Sequence, residues 1–303
     1  MKKRIVIAVL LCFFIGLPSA APVFAQGETK GGINWVEGYV SAIGNGTSDR
    51  PSAGQARLLA RRAAVVDAHR NLLEMIKGVK VDSQTTVENF MVTQDIIKTN
   101  VSGVVKGARI VKESVEKMPD GSFLATVEMH ICINQCKDSS HSLVQALSLD
   151  KKADDTPVPP QLPEAVAPTE PPKEPTGPKK EYAYDTTKPV TGVVFNLEGR
   201  MFERVIMPVV VTTGEDKNFF TVYSAKCVKP GVVRTYGVVR YADTVDQALK
   251  IEHLGNNVMV VSAEDITPEK MILIKIESAK IIQQTTRYGN DYLGNASVVI
   301  SAK

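Results

Sequence analysis

Imidazole and thiolate are favoured zinc ligands, and His130, Cys132, Cys136 and His141 place four of them within twelve residues. Four such groups can close a tetrahedron. The local pattern works against it. His130 and Cys132 are alternate residues of a run with strand character, so their side chains lie parallel and do not converge. Cys132 and Cys136 also lack the tight two-residue knuckle of zinc sites. No metal is therefore assigned. Two readings remain for the thiols: a Cys132–Cys136 disulfide, or two partly buried cysteines. A bridge requires the chain to bend at Asn134-Gln135, because an extended strand would hold the Cα atoms about 13 Å apart.

Other chemistry-bearing residues read as structural. No Gly-x-Ser-x-Gly, phosphate-cradling glycine loop or His-Glu-x-x-His occurs in the chain. The acidic pairs Glu215-Asp216 and Glu264-Asp265 sit among turn residues and read as solvated loop ends. Tyr288 to Tyr292 (YGNDY) has the composition of a turn and also of a binding loop. Trp35 reads as a strand-packing aromatic, and His69 as a ring reaching the edge of a packed surface. No catalytic residue, cofactor-binding residue or cofactor is assigned, and the chain reads as non-enzymatic.

The element that must position the first half of the chain is a helix over residues 52–78. Ser52 stands three before Gln55, the spacing of a capping box, and Gly78 can close the other end. At about 100° per residue, Leu58, Leu59, Val65, Val66, Leu72, Leu73 and Ile76 fall on one broad arc, with Ala56, Ala60, Ala63 and Ala64 on much of the rest. This predicts a helix covered on two sides, its alanines admitting a second backbone. Before it, residues 31–44 read as one strand, with Asn45-Gly46-Thr47 as a turn. After it, a second helix is expected over 84–98. Residues 108–117 and 122–133 then read as a hairpin about Pro119-Asp120-Gly121. In its second arm Phe123, Ala125, Val127, Met129, Ile131 and Ile133 face the core, and Leu124, Thr126, Glu128, His130 and Cys132 face water.

The N-terminus places the chain in the cell. Lys2-Lys3-Arg4, an apolar run to Leu17 and small residues to Ala25 make a secretory signal peptide. Cys12 follows Leu10-Leu11, without the small residue a lipid-acceptor cysteine needs. The apolar run is too short to span a bilayer, and no later stretch is longer. The chain holds 36 basic and 33 acidic residues, and the signal takes three basic ones, leaving 33 against 33. A neutral balance argues against nucleic acid as a partner. Three cysteines survive processing, too few for a disulfide-built scaffold.

The segments VEGYVSAIGNG, ARLLARRAAVVDAHRNLLEMIKGVKVDSQTTVENF, VSGVVKGARIVKE and DGSFLATVEMHI resemble the LPP-twenty lipoprotein family. They also resemble the N-terminal domain of flagellar assembly protein T, over about residues 32–133. The resemblance implies an exported envelope protein, attached to the outer membrane or associated with the flagellar basal body, with other envelope proteins as partners. It implies no catalysis.

Ten of the 17 prolines lie between Pro157 and Pro189. Such a segment favours extended geometry and reads as a stiff spacer, reaching on the order of 100 Å at roughly 3.1 Å per residue. It suits a protein that engages two things at once. Beyond it, strands are expected at 192–197, 208–213, 219–225, 232–239, 257–261, 271–277 and 296–301, with short helices at 243–250 and 279–284. This part is similar to uncharacterised segments of bacterial envelope proteins. The expected layout is a signal peptide (1–25), a two-layer α+β domain with helices on an antiparallel sheet (26–149), a Pro-rich linker (150–189) and a β-rich α+β domain (190–303). The expected location is the periplasm or the outer membrane.

Overall fold

The computed structural model describes residues 30–134, 142–149, 182–214, 216–288 and 290–303. The first domain is a helical layer on a four-stranded antiparallel sheet. Its strands are β1 (Gly31–Asn34), β2 (Tyr39–Ser48), β3 (Arg109–Lys117) and β4 (Phe123–Cys132), in the order β1-β2-β4-β3. The helices are α1 (Ala53–Lys77), α2 (Val87–Thr93), α3 (Asp95–Lys106) and the single turn α4 (Leu143–Ala146). The expected two-layer α+β arrangement is what forms.

Three local expectations are corrected. The stretch 31–44 is two strands, broken at residues 35–38, with Gly38 at φ +75° in the turn. Asn45-Gly46-Thr47 is no turn: β2 runs through it to Ser48, paired with β4. The glycines serve the helix instead. A Cβ on Gly44 would lie 2.1 Å from the Ala68 nitrogen and 2.3 Å from the Ala64 oxygen, and one on Gly46 would lie 2.3 Å from the Ala60 oxygen. The single helix over 84–98 is two, because Gln94 takes an extended conformation between them.

The buried face of α1 is also corrected. Ala56, Ala60, Ala64 and Ala68 are buried, followed by Asn71, Leu72 and Ile76. Leu58 and Val66, placed on the core arc by periodicity, are 61% and 69% exposed. Alanine and glycine together let the helix backbone settle onto the strand, and the larger side chains are left outside. The helix ends differ too. Ser52 occupies the N-cap without a side-chain cap bond, and Gly78 stays right-handed.

The second domain is a seven-stranded mixed sheet built from β5 (Gly192–Asn196), β6 (Val210–Thr213), β7 (Phe219–Tyr223), β8 (Arg240–Ala242), β9 (Val258–Ile266), β10 (Ile272–Ile274) and β11 (Val298–Ser301). The order is β7-β6-β10-β9-β5-β11-β8. The strands β9, β5, β11 and β8 pair in parallel. β5 and β11 are almost continuously apolar and buried, as strands covered on both faces must be. Its helices are α5 (Pro230–Tyr236), α6 (Val245–Ala248) and α7 (Ile276–Tyr288). The strand expected at 232–239 is mostly α5: Pro230 opens a helix that the β-branched residues do not prevent. The strand expected at 271–277 stops at Ile274, and α7 begins two residues later.

The two domains pack into one hydrophobic core that runs from Val40 to Ala302. The amides of Ile206 and Met207 donate to the carbonyls of Lys80 (3.1 Å) and Val81 (2.7 Å). Trp35 meets Tyr241 edge-on at 5.6 Å. Asn134 sits between Gly38 and Gly237, where a Cβ on either would come within 2.7 Å of its side chain. The two domains are therefore docked on one another. The end of the Pro-rich segment is tied down as well, since the Asn257 amide donates to the carbonyls of Asp185, Lys188 and Pro189.

Two outcomes follow from this packing. Gly44→Val, which must push α1 off the sheet, should cost about 1–3 kcal/mol in thermal or urea unfolding. Gly32→Ala, where a Cβ meets nothing within 4 Å, should change stability by less than about 0.5 kcal/mol. Equal effects would refute the close-approach account. Burial also holds the phenols of Tyr223, Tyr241 and Tyr292 above their ordinary range. Their raised folded pKa values stabilise the fold fully below the ordinary phenol pKa, and that contribution drains away as pH rises above about 10. Melting temperature should therefore fall above about pH 10, and less steeply in Tyr223→Phe; identical slopes would count against it.

Candidate functional site

The residues that sequence singled out do not gather into one site. His130 lies on the open face of the first sheet, stacked on Tyr39 at 4.1 Å with the rings 13° apart. Its Nε2 is 2.9 Å from Glu128 Oε1, two residues away on the same face. The alternation expected for β4 holds as far as Ile131, with Ala125, Val127, Met129 and Ile131 buried, and breaks at Cys132, which was expected to face water. Cys132 is buried and disulfide-bonded. Cys136 and His141 lie outside the described residues. Among the described residues no group of three His, Cys, Asp or Glu side chains is placed to hold a metal.

His69 faces the Val65 carbonyl at 2.8 Å, half-buried on α1. Trp35 lies in the turn between β1 and β2 and packs across the domain seam. Glu264 and Asp265 are not loop residues but exposed positions of β9. Glu215 lies outside the described residues.

Two surfaces remain once these are set aside. The first is the outer side of the N-terminal half of α1, where Leu58, Leu59 and Val66 are 61%, 40% and 69% exposed. Leu59 and Val66, seven residues apart, lie about two turns along and nearly in line, and Leu58 lies about 80° round from Val66, so all three fall on one side of the helix. The Arg61–Glu113 ion pair at 2.7 Å joins the helix to β3 beside it. That pair holds the Glu113 carboxyl below its ordinary range, chiefly through the guanidinium hydrogen bond.

The second is a cleft of about 360 Å³ in the C-terminal domain, between β7, α7 and the turn that follows α7. Val222, Ala279, Ile282 and Leu293 supply its apolar lining. Thr221, Gln283 and Thr286 add polar groups, and Lys226 and Arg287 add cations. Cys227, half-buried and outside any disulfide, also lines it. Among the described residues of the lining, Asp291 is the one anion. Lys229 Nζ lies 2.8 Å from its carboxylate, and the Gly294 amide donates to it at 2.9 Å. The lysine bond is the main reason its carboxyl is held low, with burial opposing. The YGNDY stretch is thus half site and half core: Asp291 enters the cleft, while Tyr292 is buried and bonds Thr285 at 2.8 Å.

Sequence reading missed this cleft because its walls come from residues more than 50 positions apart, one wall on a helix read as six residues long. The available signal was Lys226-Cys227 ahead of Pro230, a basic residue and a thiol where a strand ends.

Residues 30–130 match the LPP20 lipoprotein family, and residues 192–302 match the second domain of Treponema pallidum Tp0624. The matches fall one on each of the two packed domains. No curated protein matches the chain. The LPP20 match supports a protein exported to the cell envelope. Among the described residues no helix is long and apolar enough to cross a membrane.

A peptide map of unreduced protein should show Cys132 joined to Cys136 and Cys227 open to alkylation. A Cys132 that alkylates without prior reduction would refute the bridge.

Proposed function

We propose that the protein is a non-catalytic envelope component that acts by docking another exported envelope protein on the outer stripe of α1. The observation that carries this is the exposure of Leu58, Leu59 and Val66 on one side of the longest helix. Leaving such side chains in water forgoes about 1.5–3 kcal/mol for each one that a partner would bury fully. Contiguous apolar exposure of this kind marks an interaction surface on a soluble domain. Arg62, exposed between Leu58 and Val66, gives the stripe a polar centre that favours a partner with an acidic residue there.

The LPP20 likeness supports the envelope as the setting, in the periplasm or at the outer membrane. The resemblance of the same region to flagellar assembly protein T makes the flagellar basal body one place to look for the partner. Assembly is the role that fits: a rigid pair of docked domains offering a helix face to a neighbour, with no bond made or broken.

A photo-crosslinking amino acid placed at Val66 in cells should capture an envelope protein. Leu58→Asp should reduce that adduct about tenfold, as losing one buried aliphatic contact predicts. A crosslinker at exposed Glu269, on the other domain, should not form it. An adduct absent at Val66, or formed equally from Glu269, would overturn the proposal.

A further inference from the structure

We infer that the cleft beside α7 binds an uncharged aliphatic chain. The inference stands on a different domain from the α1 stripe and does not depend on it.

The walls come first. A volume of about 360 Å³ falls at the small end of the range for small-molecule sites, roughly 300–1,000 Å³. Ala279, Ile282 and Leu293 are themselves buried, so the wall they form is set by the fold before anything enters. With Val222 they make an aliphatic surface whose contact with water is unfavourable. Among the described lining residues there is no aromatic ring, so the cleft offers an occupant dispersion contact and no stacking.

Charge then decides what the occupant carries. Asp291 is held by Lys229 Nζ at 2.8 Å and by the Gly294 amide at 2.9 Å. Arg287, Thr221 and Gln283 each hold an interaction within the protein already. Lys226 is exposed, and a lysine at such a rim keeps its ammonium in water while its methylene stem borders the apolar surface. A carboxylate or an amine entering the cleft would lose its hydration and meet no uncommitted partner inside, which is the costly way to bury a charge. A neutral chain meets no such penalty, and each methylene it buries adds to binding.

The ligand class is therefore an aliphatic chain without charge, on a free alcohol or as the acyl chain of a neutral glyceride. Binding there is association only, with no covalent step.

Titration calorimetry of the full-length oxidised protein with a series of 1-alkanols tests this. From butanol to octanol the affinity should rise about fourfold per methylene, and it should level off once the cleft is full. Octanoate should bind at least about tenfold more weakly than octanol. Monooctanoylglycerol forms the second arm: binding tighter than octanol assigns the glyceride source, and weaker binding assigns the free alcohol. Cys227 locates the occupant, because it lines the same cleft: octanol should slow its alkylation by N-ethylmaleimide in a saturable way. Val222→Trp, which fills the cleft, should abolish octanol binding, and Lys226→Ala should leave it unchanged within about twofold. The inference is overturned if octanoate equals octanol, if affinity keeps climbing through dodecanol, if Val222→Trp binds like the parent, or if Lys226→Ala loses octanol. Should Val222→Trp not fold, the octanol–octanoate contrast and the chain-length limit on the parent protein decide the matter.

Discussion

The approach of the α1 backbone to the middle of β2 is the constraint on which the first domain rests. Of the four buried alanines at four-residue spacing, Ala56, Ala60, Ala64 and Ala68, the last three meet Gly44 and Gly46. With almost no side-chain volume on either side, dispersion contacts form between backbones, and a single added carbon collides with atoms that cannot rotate away. Polar pins then set the register. Asn71 donates to the Ile43 carbonyl at 2.8 Å, and the Asn45 amide donates to Asp67 at 3.1 Å. These bonds explain a buried asparagine on an otherwise apolar face. The helix cannot slide by one residue without losing the fit and leaving Asn71 unsatisfied, which is the costly half of a buried hydrogen bond.

A second consequence concerns the seam between domains. Tyr241 is fully buried, and its hydroxyl both donates to the Val205 carbonyl (2.8 Å) and accepts from the Val205 amide (3.1 Å). That one phenol satisfies a loop segment next to the residues that hydrogen-bond to Lys80 and Val81. Its ring is also the surface on which Trp35 lands from the first domain. The seam thus depends on aromatic packing that is polar only at its tip, an arrangement suited to a buried tyrosine. With the domains joined there, Asn257 also holds residues 185–189 to the second domain.

What could be read from sequence divides by physical cause. The β3–β4 hairpin was legible because turn chemistry is local: Gly121 takes φ +88°, and the Met118 amide bonds the Ser122 carbonyl at 2.8 Å. The facing of β4 was legible because a period of two admits only one alternation. The facing of α1 was not. Its alanines and its aliphatics both recur at helical spacing, and hydrophobicity favours the larger set; only the bare strand opposite makes the smaller set the better fit. Gly44 and Gly46 carried that information, but glycine beside asparagine reads equally well as a turn. In the second domain the parallel pairing of β5, β9 and β11 and the cleft beside α7 join distant segments. No local pattern encodes them.

The edges of the first sheet bear on how the protein meets others. β3 is an edge strand of nine residues, long enough to accept a partner strand. It carries Arg109, Lys112, Glu113, Glu116 and Lys117, and its pairing with β4 is broken by a register shift between Ile110 and Lys112. Closely spaced charges and a bulge are the devices by which edges are kept from pairing. The other edge, β1, has only four residues. With both edges blunted, strand addition is disfavoured on each side of the sheet. The apolar stripe on α1 has no such protection beyond Arg62. The same alanine packing that builds the core has turned the leucines and valine outward, so the exposure of that stripe follows from the way the domain is held together.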